Sequence, residues 1–280
     1  MGIFDGCLLA CDVDGTLVEN GNINPKNIEK IEYFMSEGGH FSISTGRSVT
    51  ALTSVTEKLK RISPSVVSNG SMIYDYESEK ILYQEYLEKG DYQIVKDVLD
   101  ANLDVGIEVH SGKRIFTVRQ TKMTDIHQKY ESLETTVMSF EQACEYDWNK
   151  VLFSIDNPND FGKLKQLSEK YENTSHFVAT GVCLNNEIQN YFEQMPKGIS
   201  KASAIKKLHG MFNIKDGCSF AIGDYYNDIE MLKNADSCAV PCGSPDEIKA
   251  LADFVAVACS DGAVADFIDY LTKIFKKSLT

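Results

Sequence analysis

The 280-residue chain has no Gly-x-x-x-x-Gly-Lys-Ser/Thr and no Gly-x-Gly-x-x-Gly. Without either backbone cradle for phosphates, nucleotide-hydrolase and dinucleotide readings lose their main support. No apolar run approaches the roughly 20 residues of a membrane-spanning helix. The N-terminus has no basic region followed by a cleavable apolar one, and position 6 is Gly rather than the Ser or Thr of a myristoylation signal. A cytoplasmic protein that does not engage membranes is expected. Positive charge is short: 28 Lys+Arg stand against 41 Asp+Glu, a formal net charge of -13. That field repels the phosphate backbone of nucleic acid and anionic membrane surfaces, so neither is an expected partner. An anionic substrate would need a local positive patch or a metal ion. The eight cysteines (7, 11, 144, 183, 218, 238, 242, 259) show no Cys-x-x-Cys spacing and fall mostly in apolar runs, so they read as reduced core thiols rather than zinc ligands or disulfides. No internal repeat or low-complexity tract is evident, and the sequence leaves the oligomeric state open.

What is present is an alternation of element types. CLLAC (7–11), a helical pattern, FSIST (41–45), a second helical pattern and SVVS (65–68) predict β-α-β-α-β. Strands joined by helical crossovers pair in parallel, with the helices covering the sheet. Asn24 stands as an N-cap before Pro25; Ile28, Ile31 and Phe34/Met35 recur at helical spacing, and Gly38-Gly39 stops the helix. The grammar returns in SFAIGD (219–224), a helical IEMLKNA, SCAV, a helix at SPDEIKALAD, FVAVA (254–258) and a terminal helix over about 261–277. For SPDEIKALAD, Ser244 and Glu247 predict a capping box with Pro245 at the first helical position. Between these segments, helical patterns (DYQIVKDVLD, DIHQKYESL, FGKLKQLSEKY) mix with strand-like ones (DVGIEVHS, RIFTVR, KVLFSI, HFVAT). The expected fold class is α/β: a Rossmann-like parallel-sheet core, residues 1–83 plus 194–280, with an inserted α+β cap over 84–193.

In open parallel sheets, ligands sit beyond the carboxyl ends of the strands. Every candidate core strand places polar residues there: Asp12-Val13-Asp14-Gly15-Thr16, Ser44-Thr45-Gly46-Arg47, Ser68-Asn69-Gly70, and Gly223-Asp224 followed by Asn227-Asp228. Residues two apart on an extended segment project to one side, so Asp12 and Asp14 face one pocket if the strand persists that far. Clustered carboxylates do not all stay ionised without a cation, and hard oxygen ligands suit Mg2+. Asp12, Asp14 and Asp224 are then a candidate magnesium site. Singly, each motif reads equally well as local structure: an Asp-x-Asp turn, a Gly turn beside a solvated Arg, an Asn-Gly turn, a helix cap at Asn227 or Asp228. Their joint occurrence at one end of a sheet is what points to a site.

The four motifs, DVDGT at 12–16, STGR at 44–47, Lys201 within KGISKASAI, and GDYYND at 223–228, stand in the order found in the haloacid dehalogenase superfamily of phosphohydrolases. The chain resembles in particular its Cof-type, sugar-phosphatase-like branch with a large α/β cap. The resemblance extends through Asn69-Gly70 and GSPDEIKALADFV (243–255) and is weakest in the insertion. It implies Asp12 as the nucleophile that forms an aspartyl-phosphate and Asp14 as the acid and base. It implies Mg2+ held by the Asp12 carboxylate, the Asp14 backbone carbonyl and the Asp224 carboxylate, with Asp228 supporting through waters. Thr45, Lys201 and Asn227 would bind the phosphoryl group, with Lys201 preferred over nearby Lys197 because it precedes an apolar helix pattern (Ala204, Ile205, Leu208). Ser44, Gly46, Arg47 and Asn69 would support it. The family commonly has a small residue after Gly-Asp, where this chain has Tyr225 and Tyr226.

The expected activity is Mg2+-dependent hydrolysis of a small phosphorylated metabolite, a sugar phosphate first. Phosphoryl transfer to another acceptor, as in a mutase, and a non-catalytic metabolite-binding module are the alternatives. The paired Asp12 and Asp14 argue against a binding module, which needs no nucleophile beside an acid. A receiver-like signalling domain has no use for the large insertion. Within the insertion His110, Arg114, Arg119, Asn185 and Asn186 are polar; solvated loop positions are the favoured reading for each, and contact with the leaving group is the alternative.

Overall fold

The computed structural model describes residues 2–184 and 187–278 and divides into two compact units. The first comprises residues 1–46, 53–82 and 200–280, the second 47–52 and 83–199.

The first unit is built on five parallel strands: β1 (Leu8–Cys11), β2 (His40–Ile43), β3 (Ser219–Ile222), β4 (Ser237–Pro241) and β5 (Phe254–Ala256). Their order across the sheet is β5-β4-β3-β1-β2, so β3 is central and β1 is the interior strand between β3 and β2. All four β1 residues are buried, as expected of a strand covered on both faces. The helix Pro25–Ser36 begins at Asn24, whose side chain accepts from the Lys26 amide at 2.9 Å, and ends before Gly38 at φ +91°. It packs against the terminal helix Ala263–Ser278. Phe4 joins the two through Phe34 and Phe275, with ring centroids 4.5 and 5.4 Å away. Cys7, Cys11, Cys144, Cys218, Cys238, Cys242 and Cys259 are free, and Cys7, Cys11, Cys238 and Cys259 are buried.

Two local expectations fail. Ser65–Val67 is not a third ladder strand of the parallel sheet: it pairs antiparallel with Met72–Asp75 and meets the β2 side through a single parallel bridge, Ser44 to Val66. The cause is the turn Ser68–Gly70, where three successive positive φ angles (+50°, +52°, +103°) reverse the chain into a local hairpin. The Ser244–Glu247 capping box does not form. The helix starts one residue later, at Asp246 with Pro245 as its N-cap, and the buried Ser244 Oγ has no hydrogen-bond partner.

The second unit is α+β. Its six-stranded sheet runs in the order Thr136–Val137, Arg114–Arg119, Val105–Ser111, Lys150–Ile155, Glu187–Pro196, Ser175–Leu184. One sheet face packs on Ile94, Val95 and Val98 of the helix Gln93–Asp100 and on Trp148. The only tryptophan of the chain stacks on Tyr92 at 3.7 Å and donates from Nε1 to the Ala143 carbonyl at 2.8 Å, so its one polar atom is satisfied. No helix among the described residues is long and apolar enough to cross a membrane.

Candidate active site

β1 ends at Cys11, and the next residue leaves the ladder while its amide still donates to the Ile222 carbonyl at 2.9 Å. Asp12 is thereby held between β1 and β3, 6 % exposed. A tight turn begins at once: the amides of Leu17 and Val18 both donate to the Val13 carbonyl, at 3.0 and 2.8 Å. The alternation expected of a continuing strand therefore stops at Asp12, and Asp14 stands partly exposed on the turn. Gly15, at φ +82°, permits that turn, and a Cβ there would lie 2.3 Å from Asp224 Oδ2. The DVDGT segment and the end of β3 approach too closely for any side chain at this position.

Asp224 and Asp228 come from the loop after β3. Asp228 is fully buried; its Oδ2 accepts the amides of Asp224 and Tyr225 at 3.0 and 3.2 Å, folding the loop around the carboxylate. Lys201 is the first residue of the helix Lys201–Phe212, fixed by a capping box between Ser200 and Ser203. Its ammonium donates to Asp12 Oδ1 at 2.5 Å and to Asp228 Oδ1 at 2.6 Å. Thr16 donates to Asp224 Oδ1 at 3.2 Å. Sequence reasoning missed Thr16; its signal was a short hydroxyl residue directly after the Asp-x-Asp-Gly turn.

The carboxylates of Asp12, Asp224 and Asp228 lie within 4.8 Å of one another, and this is the one such group among the described residues. Asp14's carboxyl is not part of it, against the geometric expectation, because the chain has already turned. Asp228, expected only in support, is a full member. Three carboxylates face one ammonium, leaving two negative charges uncompensated. Burial and then the Asp228 charge push the Asp12 carboxyl up to about 7. Burial, then Asp12 and Asp228, push Asp224 well above the usual carboxylate range. For Lys201, burial opposes the charge, but Asp12 and Asp228 outweigh it and raise the ammonium above its ordinary range. Hard oxygen donors short of positive charge fit a divalent cation such as Mg2+. The bonds above leave Asp12 Oδ2 and Asp224 Oδ2 outside them, so those atoms are the ones open to it.

Thr45 is buried just past β2; its amide donates to the Val66 carbonyl at 3.0 Å and its carbonyl accepts from the Asn69 amide at 2.9 Å. Ser44 is fully buried with an unpartnered Oγ. Gly46 packs on the Asn69 amide group, 3.1 Å from where a Cβ would stand. Gly70, at φ +103°, brings the Ser68–Gly70 turn against the start of the Lys201 helix: a Cβ would lie 2.2 Å from the Ser200 carbonyl oxygen. Asn227 lies partly buried on the turn Tyr226–Asp228. Tyr226 is exposed and donates to Glu247 at 2.6 Å.

The remaining expected residues belong to the second unit. Arg47 lies 5.2 Å above the Tyr130 ring with Nε 4.0 Å from Glu131. Lys197 is exposed and its ammonium donates to the Glu172 carbonyl. Arg114 is exposed over Phe116 and Tyr146, Arg119 donates to the Leu103 and Leu99 carbonyls, and His110 is buried. Asn185 and Asn186 lie outside the described residues.

A sequence profile of the haloacid dehalogenase-like hydrolases matches residues 9–268. Phosphatase YwpJ of Bacillus subtilis is 25 % identical over 286 residues, covering 94 % of this chain and 99 % of its own. A second Bacillus subtilis protein, 5-amino-6-(5-phospho-D-ribitylamino)uracil phosphatase YwtE, is 25 % identical over 94 % of this chain and 97 % of its own. Among solved structures, the subclass IIB sugar phosphatase BT4131 superposes with a TM-score of 0.82 over 95 % of this chain and 99 % of its own, at 20 % identity.

Proposed function

Since the chain belongs to the haloacid dehalogenase-like hydrolase family and is a phosphatase of that family, we propose that it hydrolyses a small phosphorylated metabolite, a sugar or polyol phosphate, with Mg2+ and through an aspartyl-phosphate. The observation that carries this reading is the convergence of Asp12, Asp224, Asp228 and Lys201 at the carboxyl end of the central strands. The names of the relatives, a sugar phosphatase and a phosphatase of a phosphoribityl compound, support the substrate class.

Asp12 is the nucleophile: its carboxylate oxygen bonds to phosphorus as the ester oxygen departs on the opposite side. Asp14, outside the carboxylate group and partly exposed, gives its proton to the departing alkoxide, then takes one from the water that cleaves the acyl phosphate. Lys201 fixes Asp12 through Oδ1 and offsets charge on the transferring group. Thr45 and Asn227 orient the phosphoryl oxygens, with Ser44, Gly46 and Asn69 shaping the turn beside them. Mg2+, held by the Asp12 and Asp224 carboxylates and the Asp14 carbonyl with Asp228 behind them, would supply charge compensation for the nucleophile and the phosphoryl oxygens.

A phosphate-release screen over a broad panel of phosphometabolites with Mg2+ tests the reading. Release from sugar or polyol phosphates without added acceptor is expected. No release from any compound, or phosphate appearing only on a second sugar, would overturn it.

A further inference from the structure

Cys7 and Cys218 stand at the amino ends of β1 and β3, each one position ahead of the first paired residues of those strands, Leu8 and Ser219. Residues level with each other on neighbouring parallel strands project to the same side of the sheet. The two thiols accordingly meet, and a hydrogen bond joins them. Neighbouring strands run about 4.8 Å apart. That lies inside the roughly 4.4–6.8 Å between Cα atoms that a disulfide spans.

The backbone holds both residues in that relation. The Cys7 amide donates to the Phe4 carbonyl at 2.9 Å, and its carbonyl accepts from the His40 amide at 2.8 Å. The Cys218 amide donates to the Lys215 carbonyl at 3.1 Å. Its carbonyl accepts from the Leu8 amide at 2.9 Å, which ties it directly to the residue after Cys7. Exposure separates the two: Cys7 is fully buried, whereas Cys218 is partly exposed. Burial, then the bond to Cys218, push the Cys7 thiol well above its ordinary range, so it stays protonated. An oxidant arriving from solvent therefore meets Cys218 first, with the Cys7 sulfur directly behind it.

We propose that Cys7 and Cys218 are a modification site, a dithiol that hydrogen peroxide converts into a disulfide between the amino ends of β1 and β3. The Cys218 sulfur attacks one peroxide oxygen, the O–O bond breaks, and a sulfenic acid and one water result. The Cys7 sulfur then attacks the Cys218 sulfur. The S–S bond forms, the S–O bond breaks, and the departing hydroxide leaves as water with the Cys7 proton. Two electrons pass from the thiols to one peroxide, which ends as two waters. An added dithiol reverses the change by exchange. Because the backbone already holds the two sulfurs together, the link forms without moving either strand. It closes a loop of most of the chain, so it restricts the unfolded state and stabilises the fold.

The test is hydrogen peroxide treatment of the full reduced chain, then blocking of the remaining thiols in denaturant. The single-chain band of a non-reducing gel is digested without reductant and read by mass spectrometry. Peptides joined through Cys7 and Cys218, and released by dithiothreitol, are the expected product. The oxidised protein should melt about 5 °C higher than the reduced one. Cys218→Ser, at a partly exposed position, should abolish both the joined peptides and the shift, and Cys7→Ala should do the same. Disulfides between other cysteines instead, or Cys218 carried on to a sulfinic acid with Cys7 still free, would overturn the assignment. So would joined peptides whose formation leaves the melting temperature unchanged or lower, because the link would then strain the strands.

Discussion

Lys201 and Asp12, 189 residues apart in sequence, meet with Nζ 2.5 Å from Oδ1. The same buried ammonium reaches Asp228 Oδ1 at 2.6 Å, so one lysine ties the end of β1 to the loop after β3. Lys201→Met would leave two carboxylates buried and facing each other. Breaking such a pair costs about 3–5 kcal/mol. Urea denaturation in EDTA at neutral pH should show a loss of that order, partly restored by Mg2+. An unchanged midpoint would mean that the two carboxylates do not depend on Lys201.

Asp12→Asn should lower turnover by about a thousandfold or more, because the nucleophile and one metal-facing oxygen go together. It should not lower stability. Burial and the Asp228 charge already push this carboxyl up to about 7, so its ionised form is costly in the folded protein at neutral pH. Phosphate release near the wild-type rate would remove Asp12 as nucleophile; a large drop in melting temperature would show that its charge stabilises the fold.

Part of this site was legible in the sequence, because the Asp12 and Asp224 motifs each end a strand of a parallel sheet and topology alone brings such ends together. Asp12 and Asp224 follow from that logic; Lys201 came instead from the family's motif order, and it separates from exposed Lys197 because only Lys201 opens a buried helix turn. Asp14 was harder, since period-two alternation holds only while the strand lasts and β1 stops at Cys11. Asp228 looked peripheral because its membership depends on a loop folded by its own acceptance of two backbone amides. Ser65–Val67 was misplaced because composition marks a strand but not its partner, which the positive-φ turn at Ser68–Gly70 decides.

Gly70→Ala should damage both fold and rate. It adds a Cβ at φ +103° and drives it to within 2.2 Å of the Ser200 carbonyl, at the cap that positions Lys201. A loss of more than about 1 kcal/mol and a drop in kcat of about tenfold are expected. Gly21→Ala is the control: its φ is +74° but nothing lies within 4 Å, so it carries the backbone cost alone. Equal effects of the two on kcat would show that the close approach at Ser200 does not set the lysine.

Removing Mg2+ should stop turnover, and adding it should raise the melting temperature, since a ligand that binds only the folded state stabilises it by about 2.7 kcal/mol at a hundred times its Kd. Asp224→Asn should shift both titrations to higher Mg2+, because it replaces a carboxylate of the group that spans 4.8 Å. Melting curves across a Mg2+ series separate binding from catalysis. Activity indifferent to EDTA, or an Asp224→Asn titration that overlays wild type, would contradict the metal assignment.

The pH dependence of stability should carry the signature of His127 between Glu108 and Glu131. Burial disfavours the imidazolium, but Glu131 and Glu108 outweigh it and push His127 up to about 10, while its charge pulls Glu131 down to about 2 against the burial that raises it. A histidine raised in the folded state adds stability that is complete below its unfolded pKa near 6.5 and fades as pH rises through about 10. A depressed glutamate adds stability that is complete above its model value of 4.5 and fades as pH falls through about 2. Both contributions are whole only between those limits. The stability difference between wild type and His127→Gln, on the order of 3 kcal/mol, should therefore be widest near pH 5 to 6 and shrink steadily toward pH 10. Urea denaturation of both proteins across that range measures it. A difference that stays level or widens with pH would mean that His127 is neutral in the folded protein.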